Sequence, residues 1–426
     1  MAETIQPASS LQGTVRLPGD KSISHRYGML ASIAEGVSTI RNYSSGADCQ
    51  STLSCMRSLG VKIEKDDSNV TIHGVGIDGL TAPANALDAG NSGSTIRMLS
   101  GILAGQKFDS TLIGDESLTR RPMGRVITPL TEMGARIEAR DGRFPPLTLH
   151  GGKLRPIDYT LPVPSAQVKS SILFAGIFCE GVTTVREPIV TRDHSEIALR
   201  QFGAEVESLR GAITIEGRPK LKGRELLVPG DISSSAFFLV AALLRPGSRI
   251  AIEGVGLNPT RSTLLDFLVA GGAPIRLLNI AEDSGELIGD ILVEHGRWRG
   301  GVLEKSVTAA LIDEIPVLAV LGAASRDGLI VRDAAELRVK ETDRIATIAD
   351  NLRRMGVRIT VRDDGFDVPG NQKFHPAELD SFGDHRIAMA FSVAALAAEE
   401  PSLIHNSEAA SVSFPEFYTM LRDLSG

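Results

Sequence analysis

Hydrophobic and polar positions alternate along this chain in a block pattern that repeats six times. An apolar segment that reads as a helix ends at a turn. An extended segment follows, then a polar loop, a second helix, and a Gly-Ala or Gly-Val step into another strand. The turns fall at Gly36, Gly105, Gly181, Gly247, Gly328 and Glu400. They lie roughly 65–80 residues apart, longer than a solenoid repeat, so each copy reads as a small α/β unit. The sixth copy is cut short at its C-terminal end. In Leu352-Arg353-Arg354-Met355-Gly356-Val357 the glycine supplies a left-handed residue that ends the helix, and Val357 starts the next strand. Leu59-Gly60-Val61, Met133-Gly134-Ala135 and Phe202-Gly203-Ala204 follow the same pattern.

A second repetition is laid over the first. Pro18-Gly19-Asp20-Lys21-Ser22-Ile23-Ser24 recurs half a chain later as Pro229-Gly230-Asp231-Ile232-Ser233-Ser234-Ser235. The first copy continues through His25 and Arg26 into the apolar run Gly28 to Ala34, which reads as a helix; the second copy carries no cation. A duplicated turn with charge in one copy points to a shared scaffold role and a site built on one side.

Composition narrows the classes. At 426 residues the chain is long for one core, and two domains of three copies each are expected. An apolar fraction of 42% excludes disorder, and 4% aromatics argue against base-stacking surfaces. The net charge of −7 gives no general attraction to nucleic acid or anionic membranes, so an anionic ligand needs a local cationic cluster. Cys49, Cys55 and Cys179 form no CxxC and no even set, which fits a reduced, cytoplasmic setting. No leader-like segment, no apolar run of membrane-spanning length, and no metal-ligand spacing is seen.

Two motifs mislead. Gly74-Val75-Gly76-Ile77-Asp78-Gly79 matches GxGxxG, but Pro83 and short polar residues follow where a dinucleotide site needs a helix. Gly19-Asp20-Lys21-Ser22 resembles the end of a P-loop, but Asp20 separates Gly from Lys. The remaining polar clusters all fall at helix starts. Lys21, Ser22 and Arg26 suit an anion, as do Asn91-Ser92-Gly93-Ser94-Thr95-Ile96-Arg97. Thr119-Arg120-Arg121-Pro122-Met123-Gly124-Arg125 places cations against the helix dipole, which favours a functional reading of Arg121. Ser165-Ala166-Gln167 opens a helix as a cap would. Asp313-Glu314 opens a very apolar helix, with capping by Asp313 as the ordinary alternative. Arg338 to Arg344 is dense in both signs, and Asp384-His385-Arg386 precedes the apolar run Ile387 to Ala398. Together these give Arg26, Arg97, Arg121, Arg344 and Arg386, with Lys21, Lys340, Asp313 and Glu341, drawn from both halves of the chain. An interdomain cleft with that inventory would bind a small, multiply anionic substrate pair, with carboxylates to move protons and cations to stabilise negative charge.

LPGDKSISHR, GNSGSTIR, RRPMGR, SAQVKSS, LRVKETDR and GDHR occur in an order and spacing that closely resembles the enolpyruvyl transferases of the shikimate pathway, over essentially the whole chain. The resemblance implies two similar domains, each of three α/β units with central helices surrounded by sheet, an inside-out α/β barrel. Residues 1–19 with 230–426 would form one domain and 20–229 the other, with crossings near 18–21 and 228–231. It implies transfer of the enolpyruvyl group of phosphoenolpyruvate to the 5-hydroxyl of shikimate 3-phosphate, with loss of phosphate and no cofactor or metal.

By the same resemblance, Lys21, Ser22, Arg26, Ser165, Ala166, Gln167, Asp313 and Lys340 would contact shikimate 3-phosphate. Lys21, Asn91, Gly93, Arg121, Gln167, Arg344 and Arg386 would surround phosphoenolpyruvate, with Arg192 and His385 as further candidates. Asp313 would be the base, Glu341 the acid/base partner, and Lys21 would meet both substrates. A cytoplasmic monomer that closes on its ligands is implied, without nucleic-acid or membrane partners.

Three departures stand out: Val412 where many members have Lys, Glu336 where some have Asn, and Ala166 where others have Ser. They resemble a divergent bacterial branch that is less sensitive to glyphosate. Gly93 stands where tolerant enzymes often carry Ala, so partial sensitivity at most is expected. The sister enzymes acting on UDP-N-acetylglucosamine usually carry a reactive Cys before the Arg-Pro pair; here Gly114 to Thr119 has none. A non-catalytic anion-binding protein is the remaining alternative, opposed by Lys21, Asp313, Glu341 and Arg386.

Overall fold

The computed structural model describes residues 1–426 and divides them into two compact units. One comprises Gly19–Val228 with Asp283–Glu286; the other comprises Met1–Pro18, Pro229–Glu282 and Leu287–Gly426. The tetrapeptide Asp283–Glu286 is absent from the sequence-based division. It packs with the first of these units: Tyr27 Oη donates to Ser284 O (3.3 Å), Leu227 N to Ser284 Oγ (3.0 Å), and His194 Nδ1 lies 2.6 Å from Glu286 Oε1.

The Gly19–Val228 unit holds helices α1 (Lys21–Ser32), α2 (Ala47–Ser58), α3 (Gly93–Ala104), α4 (Gly124–Glu132), α5 (Ala166–Gly176) and α6 (His194–Phe202). The other unit holds α7 (Ile232–Leu244), α8 (Thr263–Ala270), α9 (Lys305–Ala310), α10 (Ile315–Ala324), α11 (Arg344–Arg354), α12 (His385–Ala395) and α13 (Phe417–Ser425). In each unit the first helix of every copy is sunk in the core. α7, α10 and α12 are buried around nearly their whole circumference and pack on one another, as sequences such as ISSSAFFLVAALL and IPVLAVLGAA require. α1, α3 and α5 do the same in their unit, and each unit has its own hydrophobic core.

Six separate sheets, five of four strands and one of three, lie outside these helices, and they are not joined into a closed hydrogen-bonded barrel. In the first, Glu225–Leu227 runs parallel to Glu35–Arg41, with Leu226 opposite Ile40. Glu35–Arg41 is antiparallel to Asn69–Val75, which is antiparallel to Lys62–Asp66. Burial alternates along such strands, with Ile40, Val70 and Ile72 inward. Chain segments distant in sequence complete these sheets. The sixth copy has the three-stranded sheet, and one of its strands comes from the other end of the chain: Ala2–Ile5 pairs antiparallel with Ser402–His405, while Gln12–Arg16 joins the fourth copy parallel to Arg249–Gly256. Nothing local in the sequence announces such pairings.

Local punctuation was easier to read. Gly356 and Gly203 take left-handed φ values of 77° and 101° at helix ends. The GxGxxG run leaves strand Asn69–Val75 and enters no helix until α3. One helix starts earlier than the apolar run indicates: α1 begins at Lys21, because Asp20 Oδ1 accepts from Ile23 N (2.9 Å) and caps it. Lys21, Ser22 and Arg26 are therefore helical residues of the first two turns. No helix is long and apolar enough to cross a membrane.

Candidate active site

The sequence-selected residues gather at helix starts, in one set within each unit. In the Gly19–Val228 unit they come from α1, α3, α5 and the segment before α6. Lys21 Nζ is 3.0 Å from Asp48 Oδ2, at the first turn of α2. Arg26 is 2% exposed and held by neutral oxygens: its Nε donates to Ser195 Oγ (2.6 Å), Nη1 to Ser22 O (2.9 Å) and Nη2 to Ser170 Oγ (2.8 Å). Burial pushes its pKa down to about 10, which leaves it charged at neutral pH. Arg192 Nη1 donates to Ser22 Oγ at 3.4 Å.

Ser92 caps α3 by accepting from Thr95 N (3.0 Å), which makes Gly93 the first helical residue. Arg97 Nη1 donates to Gln167 Oε1 (2.8 Å), and Gln167 Nε2 to Ser94 Oγ (2.9 Å), tying the start of α3 to that of α5. Ser165 caps α5, so Ala166 and Gln167 open it, as the sequence indicates. Arg121 lies ahead of α4, but its guanidinium is not at that helix: Nη2 donates to Asn91 Oδ1 (2.7 Å) and Ser117 Oγ (3.0 Å). The dipole argument therefore names the wrong helix, because Arg121 reaches back to the start of α3. Asn91 Nδ2 in turn donates to Asp115 Oδ2 (2.7 Å).

In the other unit the set is rich in acids. Asp313 Oδ1 lies 3.5 Å from Lys340 Nζ and 3.6 Å from Arg344 Nη1. Arg344 Nη2 lies 2.5 Å from Glu341 Oε2, and its Nε is 2.8 Å from Asp384 Oδ2. Burial works against the Arg344 charge, but Asp384, Glu341 and Asp313 outweigh it and raise its pKa above the ordinary value. Asp384 also caps α12, accepting from Arg386 N (2.9 Å). Arg386 Nη1 donates to the Asp313 carbonyl (3.2 Å). His385, 3% exposed, has Nδ1 4.0 Å from Asp384 Oδ1. The run Arg338–Arg344 is not a solvated helix face: it passes from a 3₁₀ turn (Ala335–Val339) into α11, and Arg344 is 1% exposed.

Asp313 is not a cap; Glu314 occupies that position on α10 and makes no side-chain capping bond. The departures are dispersed: Ala166 opens α5, Glu336 is exposed in the 3₁₀ turn, and Val412 ends the 3₁₀ helix Ser407–Val412. Sequence reasoning passed over Asp48, Ser170, Ser195 and Asp384 as partners of the selected cations. Asp384 was open to recognition from its place before His385-Arg386. Ser195 was not, lying 169 residues from Arg26.

Chemically, one set offers arginines bonded to neutral oxygens, with Lys21 beside Asp48, suited to anions. The other offers two partly exposed carboxylates on one buried guanidinium, suited to proton movement.

Comparison with known proteins shows the family of the chain. The model of the EPSP synthase family (3-phosphoshikimate 1-carboxyvinyltransferase) matches residues 5–421. A 3-phosphoshikimate 1-carboxyvinyltransferase of Solibacter usitatus is 63% identical over 425 residues, covering 100% of both chains. One of Koribacter versatilis is 54% identical over 98% of this chain and 97% of its own. Among solved structures, EPSP synthase of Acinetobacter baumannii superposes with a TM-score of 0.89 at 42% identity, covering 99% of this chain and 98% of its own. The enolpyruvyl transferase NikO of Streptomyces tendae, at 20% identity and a TM-score of 0.76, shares the fold. The chain belongs to the EPSP synthase family, whose reaction is the transfer of the enolpyruvyl group of phosphoenolpyruvate to shikimate 3-phosphate.

Proposed function

We propose that both helix-start sets serve this reaction, with Lys21, Ser22, Arg26, Ser165, Ala166, Gln167, Asp313 and Lys340 holding shikimate 3-phosphate. Lys21, Asn91, Gly93, Arg121, Gln167, Arg344 and Arg386 hold phosphoenolpyruvate, and Arg192 serves beside Ser22. The observation that carries the assignment is the bridging of Asp313 and Glu341 by the single guanidinium of Arg344, at 3.6 and 2.5 Å. Without substrate both carboxylates are engaged by Arg344. When the anionic groups of phosphoenolpyruvate take over Arg344 and Arg386, the carboxylates are released to act.

Asp313 then accepts the proton of the 5-hydroxyl as its oxygen bonds to C2 of phosphoenolpyruvate, and Glu341, protonated from solvent once Arg344 is taken over, delivers that proton to C3. The tetrahedral intermediate carries a methyl group. Glu341 takes a proton back from that methyl as the C2–O bond to phosphate breaks, which restores the C2–C3 double bond, and the proton on Asp313 leaves with the departing phosphate. Lys21 stabilises the charge that develops at the bridging oxygens. His385, turned toward Asp384, supports the start of α12. The enzyme works without cofactor as a cytoplasmic monomer. Glyphosate competes with phosphoenolpyruvate, with partial inhibition.

The test is phosphate release from phosphoenolpyruvate, measured with and without shikimate 3-phosphate. Asp313→Ala is expected to lower turnover at least ~10²-fold, the contribution of a general base. Near-normal turnover in a folded variant would remove Asp313 from the mechanism.

A further inference from the structure

Directly behind the Asp313–Arg386 contact lies a buried group that none of the assignments above uses. The Glu314 side chain is 2% exposed, against 18% for Asp313 and 17% for Glu341. Its Oε1 accepts from Ser233 Oγ, the second residue of α7, and lies 3.4 Å from Arg261 Nη2 and 4.0 Å from Arg386 Nη1. Arg261 Nη2 donates to the same Ser233 hydroxyl. Arg261 reaches this point from the loop between strand Arg249–Gly256 and α8. That loop is fixed by Asn258, which is 3% exposed and whose carbonyl accepts from Arg261 N (2.8 Å). Two buried guanidiniums thus share one buried carboxylate, and one of them, Arg386, also holds the Asp313 carbonyl.

Three features separate Glu314 from an ordinary helix-start acid. It makes no capping bond. Its Oε1 is already engaged by Ser233 and Arg261. Its removal would leave Arg261 and Arg386, like charges at 5% and 7% exposure, without the carboxylate they share. A buried charge that loses its partner relocates or disorders. The Arg386 side chain would then be held by a single hydrogen bond, to the Asp313 carbonyl (3.2 Å).

We infer that Glu314 is a positioning residue for this reaction: anchored by Ser233 and Arg261, it fixes the turn that carries Asp313 and holds Arg386 in the orientation that receives phosphoenolpyruvate. This rests on the assignment of Arg386 to phosphoenolpyruvate.

The experiment is steady-state kinetics on Glu314→Gln, Arg386→Lys and the double variant, with Ser233→Ala as a milder perturbation and circular dichroism to check the fold. Glu314→Gln keeps an acceptor for Ser233 and Arg261 and removes the charge. It is expected to raise KM for phosphoenolpyruvate at least about tenfold, with KM for shikimate 3-phosphate within about twofold. Ser233→Ala should move the same constant in the same direction by about threefold. Glu314→Asp should recover part of the loss. In the Arg386→Lys background Glu314→Gln should add less than about twofold, because both act through one guanidinium.

Equal rises in both KM values, or full additivity in the double variant, would overturn the inference. A raised KM in Arg386→Lys with none in Glu314→Gln or Ser233→Ala would overturn it alone. An unchanged KM in Arg386→Lys would overturn the underlying assignment and this inference with it.

Discussion

Gly93→Ala perturbs the most crowded point of the α3 start. A Cβ added there would lie 2.5 Å from Arg97 Nη1 and 3.6 Å from Arg97 Cζ, while Arg121 Nη1 at 3.5 Å would be in ordinary contact. Carbon and nitrogen need about 3.5 Å, so the Arg97 guanidinium must retreat by about 1 Å. Its bond to Gln167 Oε1 is 2.8 Å, and Gln167 is itself tied to Ser94. A retreat of about 1 Å takes that bond beyond hydrogen-bonding range. Losing one charge-assisted hydrogen bond costs about 1.5–3 kcal/mol, part of which the relaxed side chains recover. KM for phosphoenolpyruvate should therefore rise about tenfold, the equivalent of ~1.4 kcal/mol, and the inhibition constant of glyphosate should rise by more.

Stability should fall by less than the lost hydrogen bond alone would cost, since alanine is better than glycine by about 0.5–1 kcal/mol in a helix. The assay is steady-state kinetics on Gly93→Ala, Arg97→Ala and the double variant, with thermal melting. With Arg97 truncated, the new methyl has no close neighbour and its kinetic effect should vanish. A full Gly93→Ala penalty in the Arg97→Ala background would refute the steric argument.

Two further outcomes follow from charges away from the reaction. Lys169 is completely buried with Nζ 2.9 Å from Glu187 Oε2 and 2.7 Å from Glu196 Oε1, so Lys169→Met should cost about 3–5 kcal/mol at neutral pH in urea unfolding. Burial already raises the pKa of Glu196 above its ordinary value. The stranded acids will hold protons more tightly when folded, so the deficit should be full well above the ordinary carboxylate pKa and shrink as pH falls toward it; a pH-independent deficit would contradict this. His150 is flanked by Asp109 Oδ2 (2.8 Å) and Glu138 Oε1 (3.0 Å), whose hydrogen bonds raise its pKa above the usual histidine value. Its contribution to stability is thus present below the ordinary pKa and lost as pH rises through the raised one. Asp109→Asn should lower the midpoint in an NMR titration, and an unmoved midpoint would count against the pairing.

What the sequence disclosed, and what it withheld, follows the range of the forces involved. Caps such as Ser165, helix ends such as Gly356, and the six apolar helices are set within a few residues, and they were legible. So were the cations at helix starts, because a charge beside a cap is a local anomaly. The apolar run alone starts α1 too late, because Asp20 both closes the Pro-Gly turn and caps the helix. Strands Ala2–Ile5 and Gln12–Arg16 find partners across nearly the whole chain or more than half of it, beyond any local periodicity. Glu314 was visible as half of an acidic pair, but its meaning was not, since Arg261 and Ser233 lie 53 and 81 residues away.

The duplicated Pro-Gly-Asp turn can now be compared copy against copy. Each starts a buried helix capped by its Asp, and each places at the second helical position a serine whose hydroxyl accepts from an arginine: Ser22 from Arg192, Ser233 from Arg261. In the second copy a carboxylate completes the arrangement, and it belongs to the chain itself. Glu314 thus behaves as a tethered ligand, present at an effective concentration that no metabolite level changes. The first copy, with Lys21 beside Asp48, is the one that the proposal above gives to shikimate 3-phosphate. On that proposal the same turn serves in one place as a permanent joint and in the other as a seat that fills and empties with each turnover.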